Sequence, residues 1–414
     1  MKVLLAFSRI FIGSIFILSG LIKANDAVGF SYKLDEYFSP AVFDLPFFQE
    51  MSLAIAIIVC VVEIVLGLTC IFGVKKKLTA VTLLGFLVFF GFLTFYSAYF
   101  NKVTDCGCFG DALKFTPWQS FIKDIVLLVF AIPLFIGKNH NSYTDKKLTT
   151  NIAFLSLLTI GILTFVVFNW TFPLFFSVAT IGIGIFLLNK TNQNILDGGV
   201  IISSTILSLI FTWYTYTYLP IKDYRPYKVE ANITEGMKVP ADAKPGITHV
   251  FIENLTTGEV KGVLMKDIPW NDKNWKYRSD LEPKVIQEAD EAPIHDFSMN
   301  TEDGTDIAEQ VLGWKKVLVL VSYDLDKSND EGWKKVQSII ADAKAKNLPL
   351  VGLSASDISQ ATQFAKERGV TLPFYNTDET TLKTIVRSNP GILLLEEGVI
   401  KGKWHFNKVP SAIE

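Results

Sequence analysis

The chain has 414 residues, of which 50% are hydrophobic and only 19% are charged. Soluble proteins carry about 25% charged residues, and most of the charge here follows Pro220 or lies in short segments between apolar runs. The composition therefore indicates an integral membrane protein with an attached soluble part. The net charge of −2 excludes the basic surface that a nucleic-acid-binding protein needs.

Seven segments are long and apolar enough to cross a membrane, which takes about 20 mostly apolar residues. In chain order they are residues 3–24, 51–73, 78–100, 117–137, 149–170, 172–188 and 198–219. Only a few residues around Asn169 separate the fifth from the sixth, so these two are either a tight hairpin or a broken pair.

The lysines predict how the chain threads the bilayer. Three stand at 75–77 after the second span, and three more lie between residues 138 and 147 after the fourth span. Because positive loops stay in the cytoplasm, we expect a cytoplasmic N-terminus in a bacterial inner membrane. Seven spans then place the C-terminal domain in the periplasm.

The periodicity changes after Pro220. Residues 249–255 and 259–265 alternate like a β-hairpin. From residue 292, predicted strands at 317–323, 348–353, 374–375, 391–395 and 399–404 are interleaved with helices at 332–346, 358–368 and 380–387, which implies a mixed sheet covered by helices. We therefore divide the chain into a first membrane domain (1–140), further membrane helices (141–220), a collar with a small β-module (221–288) and an α/β domain (289–414).

Residues 293–407 resemble the thioredoxin-like fold. The resemblance rests on the lead-in at 292–297 with Asp303-Gly304, on Asn389-Pro390-Gly391-Ile392 and on the turn at 396–398. The family's CxxC should follow the strand at 317–323, but no cysteine lies anywhere after residue 108. Without thiolates the domain cannot exchange disulfides, so we expect it to bind a partner, with Ser322, Tyr323 and Pro390 as a possible binding edge.

The sequence Asp105-Cys106-Gly107-Cys108-Phe109-Gly110-Asp111 lies in the predicted outward loop between spans three and four. Two cysteines in an oxidising compartment can form a disulfide or a soft metal pair. A short ring between Cys106 and Cys108 would be strained, and strained disulfides are the labile, more oxidising ones. Redox exchange and a permanent structural disulfide are both open interpretations, and metal binding is the third.

The remaining two cysteines predict no second redox pair. Cys60 and Cys70 are ten residues apart on one helix, which separates them by about 15 Å, whereas a disulfide needs Cα atoms within about 7 Å. We expect both to be small buried side chains, which argues against a relay between two cysteine pairs.

Ionisable residues inside spans are functional candidates. Arg9 and Glu63 should differ in height by about 6 Å, so we expect them to form a structural ion pair, with a proton or quinone site as the alternative. Lys123 and Asp124 lie in span four, nearer the cysteine loop. Asp124 is a candidate proton acceptor for thiol chemistry, unless it serves only as a contact between helices.

Residues 2–137 resemble the DoxX/MauE family of redox-associated membrane proteins. The resemblance rests on Arg9, Gly13 and Phe16 with Ser19–Lys23 in span one, Glu63 with Leu66-Gly67-Leu68 in span two, and the CGCFG loop. It implies a four-helix unit distantly similar to the vitamin K epoxide reductase and DsbB-type oxidoreductases, and with them the possibility of a quinone cofactor.

Two functions follow as hypotheses. In the first, Cys106 and Cys108 exchange electrons with a periplasmic thiol protein that the thioredoxin-like domain docks. In the second, the chain is a non-enzymatic scaffold for an envelope complex. A transporter is less favoured, because no half-chain repeat or paired broken helices are visible.

Overall fold

The computed structural model describes residues 1–103, 107–139, 145–287 and 289–413. Within these ranges the N-terminal part contains nine helices, and seven of them are apolar and long enough to cross a membrane, as predicted. In chain order they are α1 (Lys2–Asn25), α2 (Ala27–Phe38), α3 (Pro46–Glu50), α4 (Ser52–Phe72), α5 (Lys76–Phe100), α6 (Pro117–Ile136), α7 (Lys146–Val166), α8 (Phe172–Lys190) and α9 (Gln193–Tyr218). The two short helices α2 and α3 are the exceptions. The chain is therefore a multi-pass membrane protein.

The fifth and sixth spans form separate helices. α7 ends at Val166 and α8 begins at Phe172, and the two pack against each other. Asn169 adopts a left-handed backbone conformation, with φ of 44°, in the short connection between them. The hairpin alternative is therefore the one that the structure adopts.

The segment between the first and second spans holds two helices, α2 and α3, that the sequence analysis did not predict. In α2 the Asp26 side chain accepts a hydrogen bond of 2.8 Å from the Gly29 backbone N–H, which caps its first turn. Ala27, Phe30 and Leu34 are buried on one face. This spacing of three and four residues is the helical signal, and the mixed polarity of the segment concealed it.

Glycines allow α1 and α4 to approach each other closely. Gly13, Gly20 and Gly67 all lie at this contact, and a Cβ atom added to Gly67 would stand 2.7 Å from the Gly13 carbonyl oxygen and 2.9 Å from the Ile17 backbone nitrogen. Because backbone atoms cannot move aside as a side chain can, these glycines fix the distance between the two helices.

We expect Gly67→Ala to destabilise the bundle by about 1–3 kcal/mol, because overpacking forces backbone shifts. Gly85→Ala is the matched control, since a Cβ at this helical glycine meets nothing within 4 Å. Thermal unfolding of both variants in detergent tests the difference. Equal melting temperatures for the two would show that the contact tolerates a methyl group.

Ion pairs connect several helices at one end of the bundle. Lys2 Nζ lies 3.1 Å from Asp145 Oδ2, which joins the start of α1 to the start of α7, and Lys75 Nζ lies 3.6 Å from Asp197 Oδ2 at the start of α9. At the opposite end, the Asn25 Oδ1 atom accepts a hydrogen bond of 2.9 Å from the Ile221 backbone N–H. The lysines at 75–77 and at 146–147 thus lie at the end of the bundle at which α1 begins.

The chain divides into two compact units, Met1–Arg225 with Trp404–Lys408, and Pro226–Lys403 with Val409–Glu414. The second unit contains two sheets. The smaller one centres on β1 (Ile247–Asn254), which pairs antiparallel with β2 (Val260–Leu264), β3 (Trp275–Tyr277) and β4 (Lys284–Gln287). The predicted hairpin corresponds to β1 and β2, and β3 and β4 were not predicted. Two short helices, α10 (Ile233–Gly236) and α11 (Ala308–Leu312), also belong to this unit.

The larger sheet has five strands in the order β7-β6-β5-β8-β9. β5 pairs parallel with β6 and antiparallel with β8, so the sheet is mixed, as predicted. Its elements are β5 (Val317–Val321), α12 (Asp330–Ala345), β6 (Leu350–Ser354), α13 (Ile358–Glu367), β7 (Phe374–Asn376), α14 (Glu379–Ile385), β8 (Gly391–Glu396) and β9 (Val399–His405). All five residues of β5 are buried, which makes it the central strand.

Candidate functional site

The segment that follows α5 places Cys108 inside the membrane unit. Cys106 lies outside the described residues. Gly107 has φ of 65° and Gly110 has φ of 50°, conformations that glycine adopts without strain, and the Gly110 backbone N–H donates to the Gly107 carbonyl over 3.1 Å. This turn leaves Cys108 only 5% exposed. The second cysteine of the motif is therefore covered by protein.

Lys23 and Glu63 form a buried ion pair beside Cys108. The Lys23 Nζ and Glu63 Oε1 atoms are 2.5 Å apart, and the two side chains are 3% and 6% exposed. Lys23 Nζ also donates to Ser19 Oγ over 3.1 Å, and Ser19 Oγ donates to the Cys108 carbonyl oxygen over 3.1 Å. A continuous chain of hydrogen bonds thus connects Glu63 to the backbone of the cysteine.

The expected ion pair between Arg9 and Glu63 does not form. Arg9 instead donates to the carbonyl oxygens of Cys70 and Ile71, over 3.1 and 2.7 Å, and to Thr149 Oγ1. The prediction assumed that the first residue of span one and the last residue of span two lie at the same height. The structure places Arg9 opposite the last turn of α4, so α1 extends about 10 Å beyond the end of α4, and Glu63 lies too far up to reach it.

Lys123 and Asp124 lie together on α6. Lys123 Nζ is 2.8 Å from Asp124 Oδ1, and Thr94 Oγ1 on α5 donates to Asp124 Oδ2 over 3.0 Å. Asp124 is 2% exposed. Both carboxylate oxygens of Asp124 therefore have partners, and the contact with Thr94 is the one between helices that the sequence analysis considered.

One cavity brings these groups together. Its volume is about 30 Å³, and Cys108 shares its wall with four charged side chains and several aromatic ones. The lining includes Ser19, Lys23, Glu63, Phe90, Phe109, Lys123 and Asp124. A cavity that holds water needs about 10–15 Å³ and several polar partners. The site therefore suits one or two water molecules next to the cysteine.

Glu63 has an unused hydrogen-bond acceptor in this wall. Its Oε2 atom is buried and has no hydrogen-bond partner, although its Oε1 atom binds Lys23. Buried polar atoms are almost always paired with protein or water. An unpaired carboxylate oxygen beside a cavity of this size indicates a place for water or for a proton.

The same cavity is small compared with the size of a quinone ring. Pockets that bind cofactors of this size measure roughly 300–1,000 Å³, about ten to thirty times the volume found here. The residues around Cys108 therefore do not form a pocket for a quinone ring. Among the described residues no group of three or more histidine, cysteine or acidic side chains is placed to hold a metal ion.

Lys23 and Ser19 are the site residues that sequence reasoning did not select. Both belong to the span-one motif that carries the family resemblance, and with Phe16 they follow the spacing of one helical face. Cys60 and Cys70 are buried in α4. Since they lie on one continuous helix, they are too far apart to bridge.

In the second unit, hydrogen bonds fill the position that redox cysteines would take in a thioredoxin-like domain. Ser322 Oγ contacts Asn389 Oδ1 over 2.9 Å and Ser328 Oγ over 3.1 Å, and the Trp333 indole N–H donates to Ser328 Oγ over 2.8 Å. Of the three residues predicted as a binding edge, Ser322 and Pro390 are buried and Tyr323 is partly exposed. The Asn389–Pro390 peptide bond is cis.

Residues 1–137 match the protein-family model "Methylamine utilisation protein MauE". The chain is also similar to Protein TlpB of Flavobacterium psychrophilum, at 28% identity over 132 residues, which make up 31% of this chain and 35% of that protein. The chain thus matches about a third of that relative's length. No solved structure matches the chain significantly. The MauE resemblance predicted for the first four spans is therefore confirmed, and it is this N-terminal region that contains Cys108 and the charged cavity.

Proposed function

We propose that the protein carries out thiol–disulfide exchange through Cys106 and Cys108 with a partner protein on the outer side of a bacterial inner membrane. The observation that carries this proposal is the burial of Cys108 in the wall of a cavity that also holds Lys23, Glu63, Lys123 and Asp124. Ionisable groups next to a thiol control how much reactive thiolate is present. A purely structural disulfide does not need them.

The two cysteines have different roles in this proposal. Cys108 is too buried to meet another protein, so Cys106 attacks the disulfide of the partner. A bond forms between Cys106 and one partner sulfur, the partner's own disulfide breaks, and its other sulfur leaves with the electron pair and takes up a proton. The Cys108 thiolate then attacks the Cys106 sulfur and releases the partner as a dithiol. The partner gains two electrons, the loop pair loses two, and the same steps run in reverse.

The C-terminal unit would bind the partner and take no part in the exchange. It contains no cysteine, and hydrogen bonds join Ser322, Ser328 and Asn389 where a redox pair would stand. The strand order β6-β5-β8-β9 and the pairing directions support the thioredoxin-like interpretation. Tyr323, beside this cluster, is the predicted edge residue that is accessible to a partner.

Cys108→Ser tests the exchange directly. Without the resolving thiol, the mixed disulfide between Cys106 and the partner cannot collapse, so we expect a covalent complex that a reductant dissolves. The measurement is non-reducing electrophoresis of membranes after acid quenching. Cys106→Ser is the matched control and should trap nothing. Equal amounts of trapped protein, or none from either variant, would contradict the proposal.

A non-enzymatic scaffold remains the second candidate, because the cysteine-free second unit could act alone. It predicts that a chain with both Cys106→Ser and Cys108→Ser still retains its binding proteins and supports growth like the parent. Loss of growth with retained binding would favour exchange over the scaffold.

A further inference from the structure

We propose that Glu63 accepts the proton of the Cys108 thiol, through water in the cavity that both residues line. This inference rests on the exchange function proposed above and adds to it the group that generates the Cys108 thiolate. The juxtaposition that carries it is a buried carboxylate with one oxygen unpaired, a cavity that fits one or two waters, and a cysteine in the wall of the same cavity.

Glu63 is better placed for this role than the other carboxylate of the site. Both oxygens of Asp124 are engaged, by Lys123 and by Thr94. Glu63 uses Oε1 to bind Lys23 and leaves Oε2 unpaired. A carboxylate can accept at both oxygens, and Glu63 Oε2 is the buried acceptor oxygen at this cavity for which no partner is found among the described residues. The proposal therefore prefers Glu63 to Asp124, the acceptor that the sequence suggested.

The charged groups that line the cavity would stabilise the thiolate that the proton transfer produces. The cavity that Glu63 lines is also lined by Lys23 of α1, by Lys123 and Asp124 of α6, and by Cys108 of the loop. On the helix of Glu63, Cys60 lies one turn away, and Asp26 stands at the end of α1. Two ammonium groups and two carboxylates line the cavity, so moving a proton from the thiol to Glu63 leaves a thiolate beside two cations.

The step is a proton transfer with no change in oxidation state. The Cys108 S–H bond breaks, its electron pair stays on sulfur, and the proton passes through a water molecule to Glu63 Oε2. The thiolate then attacks the Cys106 sulfur of the mixed disulfide. Afterwards Glu63 returns the proton to the departing partner thiolate or to solvent.

The test is the rate at which iodoacetamide modifies Cys108, measured from about pH 6 to 10 in purified full-length Cys106→Ser protein and read by mass spectrometry of the Cys108 peptide. A thiol that depends on bulk hydroxide reacts about ten times faster per pH unit below its pKa, which is about 8.5 for free cysteine. With Glu63 as acceptor, we expect a clearly shallower dependence near neutral pH. A tenfold slope throughout would overturn the proposal without any further variant.

Glu63→Gln should reduce the rate at neutral pH by on the order of 10²-fold, the usual lower range for general base catalysis, and restore the tenfold slope. The two rates should converge near the upper end of the pH range. A reduction by the same factor at every pH would indicate altered access and would also overturn the proposal.

Two carboxamide variants complete the experiment. Asp197→Asn removes another buried, lysine-paired carboxylate at the opposite end of the bundle, and should leave the Cys108 profile unchanged. If Asp124→Asn rather than Glu63→Gln changes the slope, Asp124 is the acceptor and the proposal is wrong. Because iodoacetamide needs no partner protein, failure here is distinct from failure to trap a mixed disulfide with Cys108→Ser.

Discussion

Lys23→Met is expected to destabilise the membrane unit by about 3–5 kcal/mol, the usual cost of breaking a buried ion pair by removing one partner. Glu63 would then keep a buried negative charge with neither oxygen paired, since Lys23 holds the one that is bonded now. Ser19 would also lose the donor that fixes it beneath the Cys108 carbonyl. Methionine has nearly the length of lysine, so the loss of packing is small and the effect is mainly electrostatic.

The double variant Lys23→Met, Glu63→Gln separates this electrostatic cost from packing. Replacing both charges should recover most of the lost stability, because a neutral pair buries no uncompensated charge. Thermal unfolding of the parent, both single variants and the double variant in one detergent forms a complete double-mutant cycle. If the two single losses simply add in the double variant, Lys23 and Glu63 are not energetically coupled, which would contradict the observed pair.

Arg9→Met should cost about 2–4 kcal/mol. Arg9 is 1% exposed and donates to two carbonyl oxygens in the last turn of α4, where the helix dipole places negative charge. Hydrogen bonds to charged groups contribute about 1.5–3 kcal/mol each. Removing the guanidinium group takes the Arg9 donor from the Ile71 carbonyl and leaves the Cys70 carbonyl with only the Gly73 backbone N–H, at 3.3 Å. The contact of α1 with α4 should therefore weaken.

Lys2→Met is the control for Arg9→Met, because it removes another cation from the same helix. Lys2 pairs with Asp145, but their side chains are 57% and 38% exposed, and exposed pairs contribute about 0–1 kcal/mol. Hydrogen bonds from the Leu148 backbone N–H and from Lys2 hold the pKa of Asp145 below its usual range. A melting temperature that falls as far for Lys2→Met as for Arg9→Met would show that burial of Arg9 does not matter.

The sequence predicted the parts of the fold that consist of long segments with a regular hydrophobic pattern. Seven apolar runs sufficed to locate the spans, and the strands from β5 to β9 were found to within two residues at each end. Six elements were missed for physical reasons. Three of them, α3, α10 and α11, have only four or five residues. α2 is short and only one of its faces is apolar. β3 and β4 have three and four residues, too few for alternation to be distinguished from an irregular segment.

The candidate site was predictable by residue type and not by pairing. Glu63, Lys123 and Asp124 were selected because ionisable groups are unusual inside spans, and Cys108 because it belongs to the CxC loop. Their partners depend on the relative height of α1 and α4, which the lengths of the two spans do not reveal. For this reason Glu63 was assigned to Arg9, although it binds Lys23.

The strong burial of α1 also bears on how the bundle is assembled during synthesis. This helix is made before α4, and 72% of its most apolar window ends up buried, compared with 28% for α6. A cation at the centre of an isolated span costs about 2.5–3.5 kcal/mol, and less near its ends. Arg9 and Lys23 both obtain their partners from α4, which is made later. The two cations of the first span therefore obtain these partners only after the second span has been made. We expect the two spans to enter the bilayer together.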